Sequence, residues 1–212
     1  MLHSLSDKST TGRMSKIVNI GVFCGASVPK ESQHVTDADA LGRAIGTHGR
    51  RLVYGGGRAG LMGQVADSAR AAGAETIGVI PDFLKQMETA HLGLTELIEV
   101  RDLFERKRIM LERSDGFVII GGGIGTLDEL FEVLTWKQLG QLPKPIIVLD
   151  RNGQWAPLRD MIDHLIATGF ARPRHADLFT IVTDVADVLA ALDEPMPQIE
   201  DPRLKATEGL PK

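Results

Sequence analysis

Apolar residues along this chain fall into short continuous runs, separated by longer stretches in which they recur every three or four positions. The short runs are Ile17 to Cys24, Leu52 to Tyr54, Thr76 to Ile80, Leu97 to Val100, Phe117 to Ile120, Pro145 to Leu149 and Leu178 to Val182. Their length and their β-branched and aromatic content predict buried strands. The periodic stretches predict helices over Ser32 to His48, Leu61 to Ala72, Asp102 to Arg113, Thr126 to Leu139, Trp155 to Ala167 and Val185 to Leu192. In the first helix Val35, Ala38, Leu41 and Ile45 share one face. Asp102 and Glu105 have the spacing of a capping box. Strand and helix alternate from end to end. That pattern predicts a single α/β domain, a Rossmann-like doubly wound parallel sheet with right-handed crossovers.

Glycine crowds two of the strand-to-helix turns. After the run Phe117 to Ile120 comes Gly121-Gly122-Gly123-Ile124-Gly125-Thr126, and then the helix that carries Glu129. A glycine-rich turn at a helix N-terminus presents unpaired amides and the positive end of the helix dipole to the same spot, which is an anion cradle. A carboxylate one turn in, at Glu129, points to chemistry on a phosphorylated substrate as well as binding. Thr126 to Glu129 also has capping-box spacing, with Glu129 returning to the Thr126 amide, so a purely structural role for the carboxylate is open at this level. The other turn runs from Gly55 to Gly63. Gly55, Gly57 and Gly60 match a dinucleotide fingerprint, with Asp82 as the ribose acid, although any tight turn selects glycine.

Composition narrows the classes. With 24 basic and 28 acidic residues, the net charge of −4 argues against a nucleic-acid or anionic-membrane surface. No apolar run approaches the roughly 20 residues of a membrane span. The only cysteine, Cys24, excludes an internal disulfide and fits a reducing, cytoplasmic setting, and its strand context predicts a packed thiol. The six histidines show no ligand spacing, so neither a metal nor another cofactor is expected. Residues 1–16 read as a flexible leader, 17–193 as the domain, and 194–212, with four prolines, as a loose tail. The helix from Leu127 to Leu139 is apolar on two sides, through Leu127, Leu130, Phe131 and Leu134 and through Val133, Trp136 and Leu139. A sheet covers only one of them, which predicts a homodimer built on this helix and the one carrying Arg106. Trp136, Met62 and Met110 are expected in the core or at that contact.

Taken together, Phe23-Cys24-Gly25-Ala26-Ser27, Tyr54-Gly55-Gly56-Gly57, Gly60-Leu61-Met62-Gly63, Gly78-Val79-Ile80-Pro81, Arg106-Lys107, Gly122 to Glu129 and Thr135 to Gly140 resemble the motif set of the LOG ("Lonely Guy") family. The resemblance covers about residues 17 to 190. It implies a Rossmann-like dimer that hydrolyses the N-glycosidic bond of a nucleoside 5′-monophosphate, such as AMP or a cytokinin riboside 5′-monophosphate. It further implies a catalytic pair, Arg106 and Glu129, and substrate contacts from Glu88, Arg106, Lys107, Gly122, Gly123, Ile124, Gly125, Thr126 and Thr135. Two positions depart from the family pattern: Gly121 stands where the motif opens with proline, and Leu103 where many members have methionine. The competing classes are a nucleotide carrier on the same fold and an oxidoreductase using the first glycine turn. A pyridoxal-dependent decarboxylase, the family's old label, finds no lysine with a marked setting.

Overall fold

The computed structural model describes residues 17–28, 30, 32–87 and 90–195. The expected leader over residues 1–16, nearly all of the expected tail, and Glu88 lie outside the described residues. Seven strands form one sheet: β1 (Asn19–Phe23), β2 (Arg51–Tyr54), β3 (Thr76–Pro81), β4 (Glu96–Val100), β5 (Gly116–Ile119), β6 (Ile146–Leu149) and β7 (Thr180–Val182). Every pairing is parallel and the order is β4-β3-β2-β1-β5-β6-β7. The helices are α1 (Ser32–Thr47), α2 (Gly60–Ala71), α3 (Asp82–Met87), α4 (Leu103–Arg113), α5 (Ile124–Gln138), α6 (Ala156–Ala167) and α7 (Val185–Asp193).

Alternation along each strand sorts the core into two layers. Ile20, Val22, Leu52, Tyr54, Val118, Ile120, Ile147 and Leu149 pack with α1, α2 and α7. Phe23, Val53, Phe117, Ile119, Ile146 and Val148 pack with α4, α5 and α6 on the opposite side. Burial on both faces is why the central strands read as apolar runs in the sequence, whereas the edge strands β4 and β7 are only partly covered.

Four local features differ from the expectation. Helix α3 and a 3-10 helix over Pro173–Leu178 were not expected, since six residues are fewer than two α-helical turns and carry too little period to register. Helix α5 opens at Ile124, two residues earlier than the apolar pattern predicts, with Gly123 as its N-cap. Asp102 does cap α4 by accepting from the Glu105 amide at 2.8 Å, but the Glu105 carboxylate returns to the Arg101 amide at 3.1 Å, one residue outside the usual box.

The chain moves outward from β1 to β4 and then returns across β1 to add β5, β6 and β7. Strand order therefore reverses between β1 and β5, and the loops leaving their carboxyl ends diverge to opposite faces. In open α/β sheets that divergence forms the ligand crevice.

Candidate active site

The crevice is a cleft of about 490 Å³ at the carboxyl ends of β1 and β5. The loop after β1 supplies Cys24 to Ser27, the turn after β5 supplies Gly121 to Gly123, and α5 supplies Gly125, Thr126 and Glu129. The two loops touch through their backbones, where the Gly25 amide donates to the Gly121 carbonyl at 2.9 Å.

Both glycine turns border this cleft, but their amides have different fates. At the start of α2, the Leu61 and Met62 amides donate to the Gly25 carbonyl at 3.0 and 3.3 Å. Gly60 has φ +60°, and a side chain there would run into the backbone of Ala26. This turn is committed to packing against the β1 loop, and Asp82, the expected ribose acid, is an exposed residue opening α3. At the start of α5 no side chain caps the helix. The Leu127 amide is the first to find an acceptor, the Gly123 carbonyl at 3.0 Å, so the Ile124, Gly125 and Thr126 amides have none within the helix. Gly123 and Gly125 face open space, with nothing within 4 Å of a Cβ position. The amide arrangement expected of an anion cradle is thus found at the second turn and not at the first.

Glu129 and Arg106 reach the cleft from α5 and α4. Because α5 begins at Ile124, Thr126 is its third residue and cannot be the N-cap, which removes the capping-box explanation of Glu129. Arg106 is only 7 % exposed. Its Nε donates to the Val79 carbonyl at 3.1 Å and its Nη2 to the Gly55 carbonyl at 2.8 Å. A side chain at Gly55 would collide with the guanidinium, so that glycine is required by close approach. Cys24 lines the same cleft and feels both charges. Burial pushes its thiol well above the ordinary value, Glu129 adds to the push, and Arg106 pulls partly back. Cys24 is a neutral packed thiol, as its strand context predicts.

Gly122, Gly123, Gly125, Thr126, Arg106 and Glu129 therefore converge. Ile124 is not among the residues that line the cleft, and its side chain is exposed. Lys107 and Thr135 do not line the cleft. Lys107 turns between α4 and α5, with Nζ 2.8 Å from Glu132 and 3.1 Å from Asp128. Burial opposes its charge, but hydrogen bonds to both carboxylates outweigh this and raise its pKa. Thr135 is exposed on α5. His34 and Gln154 line the cleft with no sequence signal, because crossovers bring them in from α1 and the loop after β6, and Ser27, the last residue of the motif after β1, lines it without having been singled out for a role. Among the described residues, no lysine lines the cleft. Burial lowers Lys137 to about 8, but it sits in the last turn of α5, at the other end of that helix.

A family model described as possible lysine decarboxylase matches residues 62–192. A protein of Rhodococcoides fascians named cytokinin riboside 5′-monophosphate phosphoribohydrolase is 41% identical over 178 residues, 84% of this chain and 90% of that one. One of the same name from Mycobacterium tuberculosis is 41% identical over 172 residues, covering 81% of this chain and 91% of its own. Among solved structures, the Moco carrier protein of Chlamydomonas reinhardtii is similar, with a TM-score of 0.61 at 26% identity over 82% of this chain and 94% of that chain. Identity at this level, sustained along nearly the full length of its relatives, means that the chain belongs to the LOG family, whose model still bears the decarboxylase description.

Proposed function

We propose that this protein hydrolyses the N-glycosidic bond of a nucleoside 5′-monophosphate, AMP or a cytokinin riboside 5′-monophosphate, to free base and ribose 5-phosphate. The observation that carries this is the convergence of uncapped α5 amides, Arg106 and Glu129 on one cleft. The cradle binds the 5′-phosphate, so binding energy remote from the scissile bond positions it. As the C1′–N bond breaks, its electron pair leaves with the base and the sugar becomes oxocarbenium-like. Glu129 stabilises that cation and takes a proton from the water whose oxygen bonds to C1′, while the departing base gains a proton. General-base help of this kind contributes roughly 10²- to 10⁴-fold. Arg106, always charged, holds phosphate or the departing base. The similarity to a Moco carrier keeps a binding role without turnover as the second reading. Incubation of the pure protein with AMP should release adenine, and Glu129→Gln should abolish that release without loss of folding. Absence of adenine would favour the carrier.

The working unit in this reading is a homodimer. Leu103, Phe104, Trp136 and Leu139 on α4 and α5 are 41%, 79%, 44% and 53% exposed, an apolar face this chain leaves uncovered. Light scattering should give about twice the 23.0 kDa chain mass. Among the described residues no helix is long and apolar enough to cross a membrane, and a lone buried cysteine fits the reducing cytoplasm.

A further inference from the structure

Gly121 is not among the described glycines of positive φ, so space, and not backbone conformation, explains the absence of a side chain. A Cβ there would stand 2.8 Å from His34 Nδ1 and 3.1 Å from Gln154 Oε1. These two side chains, from α1 and from the loop after β6, occupy the slot over the turn. Gln154 also donates from Nε2 to the Gly122 carbonyl at 2.9 Å. One residue earlier, the Gly121 carbonyl is held by the Gly25 amide. In a planar trans peptide the carbonyl and the following N–H point in opposite directions. Tying the Gly121 and Gly122 carbonyls therefore sets where the Gly122 and Gly123 amides aim. Without those ties, three consecutive glycines would have to be ordered at the moment an anion binds.

We infer that Gln154, backed by His34 in the slot above Gly121, is a positioning residue for the anion cradle, holding the Gly122–Gly123 peptide so that its N–H is presented to the phosphate. It touches no reacting atom. In this chain the pair supplies the restraint that a proline ring at the head of the turn would supply through its fixed φ. The inference rests on the phosphate reading given above.

The test compares the two products as inhibitors. Gln154→Leu keeps the volume and removes the donor. KM for AMP should rise about fivefold to tenfold, the worth of one hydrogen bond to a group that must otherwise be ordered, with kcat within about twofold. Inhibition by ribose 5-phosphate should weaken by the same factor, while inhibition by adenine, which does not reach the turn, stays unchanged. Gln154→Glu, equally exposed and equally unable to donate, should repeat this if the leucine variant melts early. Adding Gly121→Pro to Gln154→Leu should recover at least half of the lost ribose 5-phosphate affinity, whereas Gly121→Pro alone, crowded by His34 and Gln154, should weaken it. Unchanged ribose 5-phosphate affinity in Gln154→Leu, equal losses for both products, or additive effects of the two substitutions would each overturn the assignment. If neither ribose 5-phosphate nor inorganic phosphate inhibits the wild-type protein, the phosphate reading itself fails before any variant is compared.

Discussion

The turn after β2 and the turn after β5 look alike in sequence: each runs from an apolar strand through at least three glycines into a helix. In the structure they do opposite work. The first spends its α2 amides on the Gly25 carbonyl and needs Gly60 for close packing against Ala26. The second leaves the α5 amides without helical acceptors and keeps Gly123 and Gly125 clear of neighbours. Glycine at the first turn serves the fold. At the second, in the reading proposed above, it serves a ligand. A fingerprint of glycines cannot tell these apart, because both uses demand a missing side chain; what separates them is whether a carbonyl has already claimed the amides.

The sharpest way to break this contrast is to remove the carboxylate beside the second turn. Glu129→Gln should lower kcat on AMP by at least about 10³-fold, with the melting temperature within a few degrees, since α5 has no side-chain cap for the substitution to remove. Near-normal turnover would leave the second turn without chemistry. Next, AMP should be hydrolysed at least about 10²-fold more efficiently than adenosine, the loss expected when about 3 kcal/mol of phosphate anchoring is removed. Equal rates would erase the distinction between the turns.

How much of this was legible beforehand differs by kind of residue. The strands and long helices were, because sheet faces and helix stripes leave periods of two and 3.6. So was the convergence of Gly122, Gly123, Gly125, Thr126, Arg106 and Glu129 on one cleft, since their motifs lie contiguous in the chain. Gln154 and His34 were not: they belong to the site only because the topology folds the loop after β6 and the start of α1 over Gly121. Lys107 follows Arg106 directly, yet neighbouring helical residues point about 100° apart, and it turned to Glu132 and Asp128 instead of the cleft.

A paired substitution sharpens the contrast from the side of stability. Gly60→Ala should cost about 2–4 kcal/mol, from left-handed strain plus collision with the Ala26 backbone. Gly125→Ala should leave the melting temperature unchanged or raise it, because alanine is the better helix former by about 1 kcal/mol. Its methyl would stand in the open space over the cradle and raise KM for AMP about tenfold. Thermal melts and steady-state kinetics on the two variants should therefore move in opposite columns. The smallest expected effect lies where the turns meet. With its thiol held protonated by burial, Cys24 should resist iodoacetamide at pH 8, and activity should not change. Rapid alkylation with inactivation would mean that the junction is open.

The setting of Arg106 has a mechanical side as well. The last registered pair between β2 and β3 is Tyr54 with Gly78, and the carbonyls that Arg106 holds, on Gly55 and Val79, lie one step further along. The guanidinium thus fastens the end of β2 to β3 where the ladder between them stops, much as a pin holds the mouth of a zip. Its removal takes away a charge and also lets the sheet fray toward the cleft. Activity lost in Arg106→Ala then mixes chemistry with architecture. Amide hydrogen exchange at Gly55 to Gly57 and at Val79 to Ile80 separates the two, since fraying speeds exchange there and a purely chemical loss leaves it unchanged.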